Sequence, residues 1–219
     1  MEAAIELLTT SEAAVAAGVS IPQIHRMIDE KILPEDLYSA NQMRTFQTAA
    51  CVLIAFYFET ADSLTAQARL RTIRNAIAHC SRWEDLRHCV IRERSITVRL
   101  SDIWNEVNGR LAELKKARTM VVEDPEILSG TPVIRGTRVP VYDVAAAAQS
   151  GTPIDKILAS YPSLNAGLVE LALLYAKAVP PRGRPRRMLH PHAARVSVSK
   201  IRLRRPSGGG GTRAEVPGR

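Results

Sequence analysis

Two His-Cys pairs nine positions apart, His79-Cys80 and His88-Cys89, are the residues of this 219-residue chain best equipped to hold a metal. Two imidazoles and two thiolates would complete a tetrahedral zinc site, but ligands adjacent within each pair depart from the spacing of about two to four residues that such sites use. Trp83 and Leu86 between the pairs point instead to ordinary packing. Neither a metal nor a cofactor is expected. A second candidate is Gly130-Thr131-Pro132-Val133-Ile134-Arg135-Gly136-Thr137-Arg138-Val139-Pro140-Val141. Gly-Thr beside arginine invites a phosphate cradle, yet no Gly-Lys-Ser/Thr follows to complete one. Glycine tolerates positive φ and proline presets φ near about −65°, so the stretch reads as a small hairpin with two tight turns. A hairpin of this size must pack on neighbours, for which residues 95–99, residues 120–122 or a second subunit are available. Arg135 and Arg138 at its tip are candidate DNA contacts.

The third group with chemical capacity is the run of guanidinium side chains near the C-terminus: Arg182, Arg184, Arg186, Arg187, Arg202, Arg204 and Arg205. From Pro180 to Arg219 there are eleven Lys+Arg against Glu215 alone, a net of +10, which leaves −2 for residues 1–179 and accounts for the overall +8. Such a segment cannot bury a core, and disorder is expected for residues 180–219. Guanidinium forks suit phosphates and clustered carboxylates alike, so composition leaves DNA and an acidic protein site both open. Val196, Val198, Ile201 and Leu203 interleave the cations, which favours a protein groove. No Gly-rich phosphate loop, nucleophile motif or pair of carboxylates at helical spacing occurs, so an enzyme is not expected.

The elements that would position these groups are mostly helical. Apolar residues make up 46% of the chain and aromatics 5%, which implies an aliphatic core. Three scattered cysteines, Cys51, Cys80 and Cys89, fit a reducing cytoplasm. The most apolar run, Ala49 to Phe58, is about half a membrane span, so no membrane is expected. Leu8 to Glu30 reads as two helices: Thr10 or Ser11 caps the first, Gly18 turns the chain, and Ser20 caps the second with Pro22 in its first turn. Ile21, Ile24, Met27 and Ile28 would face the core, and Gln23, His25, Arg26 and Asp29 would face out. That is a helix-turn-helix layout, with Ser20, Gln23, His25 and Arg26 as candidate DNA contacts; a plain two-helix hairpin is the simpler alternative.

Asn41 to Ala78 reads as continuous helix with a buried centre at Val52, Leu53, Ile54, Phe56 and Phe58; Arg69, Arg71 and Arg74 fall within two turns and cannot all share one face, and two of them could grip phosphates, although such a cluster is more often a solvated face. Residues 95–99 and 120–122 are short strand candidates flanking a helix from Ser101 through Lys116. After the hairpin come three helices, Tyr142 to Gln149, Pro153 to Ser160 and about Asn165 to Lys177, separated by Gly151 and by Tyr161-Pro162. The expected architecture is mainly α: residues 1–94 an N-terminal helix-turn-helix domain, 95–122 a helical and short β connector, 123–179 a β-hairpin with a trihelical helix-turn-helix, and 180–219 the basic tail.

The N-terminal pair, a short Glu-Ala-Ala helix, Gly-Val-Ser and a second helix, resembles the helix-turn-helix of excisionase-like and MerR-like proteins. Gly130 to Val141, Gly151-Thr152-Pro153, Tyr161-Pro162-Ser163-Leu164 and Ala172 to Ala176 together resemble, over roughly residues 118–178, the bacterial family catalogued as domain of unknown function 433. Members of that family include VapB-type antitoxins, and the added N-terminal helices and basic tail are similar to the large mycobacterial ones. What the resemblance implies is a homodimeric type II antitoxin that represses its own promoter through operator DNA and neutralises a cognate PIN-domain ribonuclease toxin, whose site is carboxylate-lined and magnesium-dependent. The tail arginines would then bind the toxin. The alternative is a stand-alone transcription regulator whose tail adds phosphate affinity.

Overall fold

The computed structural model describes residues 7–39, 44–80, 82–93 and 96–181, all of which belong to one compact unit, Met1–Pro185. Among them the chain is mainly helical, with eight α-helices and small antiparallel sheets. The expectation of disorder for residues 180–219 falls, from Arg182 on, outside the described residues.

Strand β1 (Leu7–Thr9) leads directly into helix α1 (Thr10–Ala17). The cap of α1 is Thr9, one residue before the expected Thr10 or Ser11. Glu12 dictates that choice: its carboxylate accepts from the Thr9 amide at 2.9 Å and from the Thr9 hydroxyl at 2.9 Å, which closes a capping box. Gly18 ends α1 at φ +71°. A Cβ there would stand 2.8 Å from the Arg110 guanidinium, the mobile end of a long side chain that can swing aside, so it is the backbone angle that requires glycine. Helix α2 (Ile21–Asp29) starts at Ser20, whose amide and hydroxyl both donate to the Gln23 side-chain oxygen at 2.8 and 2.9 Å.

The chain then departs from the expected long helix. Residues 38–39 form β2 (Tyr38–Ser39) and residues 45–47 form β3 (Thr45–Gln47), and β3 lies between β1 and β2 in an antiparallel sheet. Phe46, wholly buried, fixes the register by pairing with Leu8 on one side and Tyr38 on the other. Helix α3 (Thr48–Glu59) is buried nearly all round and forms the centre of the N-terminal core, as Val52, Leu53, Ile54 and Phe56 lead one to expect. It stops at Thr60, where the hydroxyl bonds back to the Phe56 carbonyl, and α4 (Ala66–His79) restarts under a Thr65 cap. The single helix over 41–78 is therefore a strand and two helices.

Strands β4 (Val90–Glu93) and β5 (Ile96–Arg99) form their own two-stranded ribbon. Helix α5 (Ser101–Met120) follows, and it packs against α1, α3 and α8 (Ala166–Ala178). Strand β6 (Val121–Val122) pairs with β7 (Val133–Ile134), so of the three partners open to the hairpin it takes the segment at 121–122, while 96–99 pairs with β4. A bridge from Val133 to Pro140 and a turn through Gly136 at φ +75° complete the hairpin. Helices α6 (Val141–Gln149), α7 (Ile154–Ser160) and α8 then pack over it, around Ile134, Val141, Val144, Ile157, Val169 and Ala172. This second hydrophobic cluster shares α5 and α8 with the N-terminal one.

Candidate nucleic-acid interface

Candidate contacts fall into three places, and α2 with its Ser20 cap gathers four of them. Ser20 and Gln23 occupy each other in the cap, so the Gln23 oxygen is committed to the helix start while its amide NH2 remains a donor. His25 and Arg26 follow on the exposed side. Arg26 reaches forward to Glu30, Nε to Oε1 2.8 Å, and that carboxylate raises the guanidinium pKa further and offsets its charge. Ile24 and Met27 face the core as expected and Ile28 is half-buried, but Ile21 at the helix start is 40% exposed. As the first residue of α2 it is only partly covered.

Arg135 sits at the hairpin turn, and its Nε donates to the Thr119 carbonyl at 2.8 Å. There it supplies a cation to the C-terminal end of α5, a favourable place for positive charge. Its amide bonds the Met120 carbonyl at 2.7 Å, so this arginine has a structural role that its sequence position did not disclose. Arg138 is exposed in the irregular stretch between the turn and α6. The tail candidates Arg182, Arg184, Arg186, Arg187, Arg202, Arg204 and Arg205 lie outside the described residues.

The three α4 arginines do not share one environment. Arg69 folds inward over the Tyr57 ring, 4.2 Å from its centroid, and bonds the Tyr57 carbonyl; Arg71 and Arg74 are exposed. The His-Cys pairs are held by their own surroundings. His79 Nδ1 lies 2.7 Å from the Asn75 carbonyl, and burial together with the neighbouring Cys89 thiol pushes the Cys80 thiol up to about 12. Burial pushes Cys51 up to about 12 as well.

Sequence reasoning missed one internal cation, Arg118. Its Nε donates to buried Glu12 at 2.9 Å and ties α5 to the first turn of α1. At the other end of the chain, the Tyr142 hydroxyl donates to the Val179 carbonyl at 2.8 Å, and burial beside Tyr142 pushes Tyr175 up to about 12. No helix among the described residues is long and apolar enough to cross a membrane.

With four candidate contacts on α2 and the hairpin-helix unit continuous from β6 to α8, the comparisons with known proteins fall on the second of these regions and then on most of the chain. Residues 121–176 match the family described as Protein of unknown function (DUF433). Over 193 residues the chain is 44% identical to the Uncharacterized protein y4eO of Sinorhizobium fredii (strain NBRC 101917 / NGR234), with 85% of this chain and 87% of that one covered. The chain belongs to the same family as that protein, and the DUF433 segment is its β6-to-α8 part. Against the X-ray crystal structure of Rv2018 from Mycobacterium tuberculosis it is 17% identical with a TM-score of 0.27, covering 75% of this chain and 95% of that one, a likeness too slight to define a fold.

Proposed function

We propose that this protein is a DNA-binding antitoxin of a type II system: a cytoplasmic homodimer that represses its own promoter through α2 and neutralises a PIN-type ribonuclease through its arginine-rich C-terminal segment. The observation that carries the DNA half is the α1–Gly18–α2 turn, which leaves His25 and Arg26 in solvent while β2 and β3 follow as a short ribbon. Two helices joined this way, with the second presenting polar residues, make a helix-turn-helix able to seat α2 in a major groove. A second such frame, α6 to α8, is preceded by the exposed Arg138.

A duplex spanning the sequence upstream of the gene is the probe for the DNA half. Fluorescence anisotropy is expected to show affinity lower by about tenfold or more in Gln23→Ala/Arg26→Ala, in line with the loss of a base or phosphate contact. Equal binding by that variant would take α2 out of the interface. For the toxin half, a chain ending at Pro181 is expected to keep its helical circular dichroism but to lose inhibition of the nuclease encoded beside it. A truncated chain that still inhibits would remove the tail from toxin binding, and the absence of any such nuclease would leave a stand-alone regulator.

A further inference from the structure

Positive charge in the body of the chain is concentrated in one segment. Residues 1–65 carry Arg26, Lys31 and Arg44 against nine Asp+Glu, and residues 100–179 carry eight Lys+Arg against nine. Residues 66–99, by contrast, carry eight arginines and no lysine against Glu84, Asp85 and Glu93. The segment that holds α2 is therefore net acidic, and Arg26 already faces Glu30 at 2.8 Å. A helix seated in a groove from such a segment meets phosphate repulsion, whereas the affinity of DNA-binding proteins comes largely from cations that neutralise phosphates. The cations must come from another surface.

The β4–β5 ribbon supplies one. Its register sets Val90 opposite Arg99, Ile91 opposite Val98 and Arg92 opposite Thr97. Ile91 is buried and Val98 half-buried, so they form the inner face, while Val90, Arg92, Thr97 and Arg99 are all exposed on the outer one. Arg92 and Arg99 are diagonal neighbours there, a placement that sets residues about 7–8 Å apart. Like charges so placed repel, and none of the four outward positions is acidic. Beside the ribbon, Arg74 is exposed on α4, which packs against β4, and Arg87 is held over the Trp104 ring at 5.3 Å. A two-stranded ribbon fits the major groove of duplex DNA, and guanidinium forks match phosphate oxygens bidentately.

We propose that the outward face of the β4–β5 ribbon is a second DNA-contacting surface, on which Arg92 and Arg99 bind backbone phosphates without regard to sequence. This rests on the DNA-binding reading above and adds to it phosphate contacts beyond those α2 can make. An acidic protein surface is the competing occupant. The phosphate assignment is favoured because a two-stranded ribbon has the dimensions of a groove reader.

The test uses the full-length protein and a mixed-sequence duplex of roughly 30 bp, with anisotropy followed across about 50 to 200 mM KCl. Two lost phosphate contacts at about 0.9 each lower the slope of log K against log salt by about 1.8 in Arg92→Ala/Arg99→Ala. Arg92→Lys/Arg99→Lys is expected to keep the slope, and matching thermal melts confirm that the variants fold. If the wild-type protein binds neither this duplex nor the upstream one, the ribbon proposal falls together with the DNA-binding reading. If the wild type binds and Gln23→Ala/Arg26→Ala weakens it, but the ribbon alanine variant has unchanged affinity and slope, the ribbon proposal alone is overturned. It is likewise overturned if the alanine variant keeps DNA binding but loses binding to poly-L-glutamate, because the face would then take an acidic protein.

Discussion

Replacing Arg118 by alanine is expected to destabilise the protein by about 3 kcal/mol, at the low end for breaking a buried ion pair. Glu12 is 4% exposed, and its carboxylate sits among Thr9 and Arg118 with little access to water. Removing the guanidinium leaves that carboxylate buried, with the Thr9 amide and hydroxyl as its remaining donors among the described residues. The Arg118 side chain is itself about a third exposed, which moderates the loss. Urea unfolding of Arg118→Ala, Glu12→Gln and the double variant gives the measurement as a cycle, with a coupling of roughly 1 to 3 kcal/mol expected for groups in direct contact. A loss below about 1 kcal/mol would equate the pair with an exposed one and end its claim to join α1 to α5.

The other large effect is expected at Phe46. Phe46→Ala should cost about 3–5 kcal/mol, the range for removing a wholly buried aromatic ring and leaving a cavity. The ring is the buried member of the central strand of the first sheet, paired with Leu8 and stacked on Tyr38 at 6.1 Å between centroids. Its loss opens the N-terminal core and loosens the register of β1 and β2 together. Phe46→Leu, which refills much of the volume, should recover more than half of that stability. Equal melting temperatures for the alanine variant and the wild type would show that the sheet does not depend on this ring.

The parts of the fold legible in the sequence are those with local signals. Gly18 before Ser20, Gly151 before Pro153, and Tyr161-Pro162 each punctuate the chain within a few residues, and α1, α2 and α6 to α8 follow from them. The hairpin at 133–140 was visible for the same reason. What escaped the reading was either too short for a period or too distant in sequence. Strand β3 has three residues and runs straight into α3, so Thr45 to Gln47 offered no alternation to oppose the helical pattern that begins beside it. The break at Thr60 to Thr65 contains neither glycine nor proline. Glu12 looked like an ordinary first-turn acid of a helix, since its partner lies 106 residues away. On the interface side, the α2 candidates could be placed by helical spacing, whereas the exposed Arg135 bonds back to the Thr119 carbonyl at the end of α5 and the ribbon pair Arg92 and Arg99 emerged only once the register of β4 and β5 set them on one face.

Helix α5 gives these regions a shared fate. Twenty residues of α-helix extend about 30 Å, and α5 contributes Trp104, Val107 and Leu114 to the N-terminal cluster and Ala117 and Met120 to the one beneath the hairpin. Helix α8 runs the opposite errand: Val169, Ala172 and Tyr175 serve the hairpin cluster, and Ala178 enters the first. Neither cluster can open without stripping apolar side chains from a helix that the other needs. The N-terminal helices and the DUF433 segment are consequently expected to melt as one cooperative unit, with the central amide protons of α5 exchanging only when the whole body unfolds.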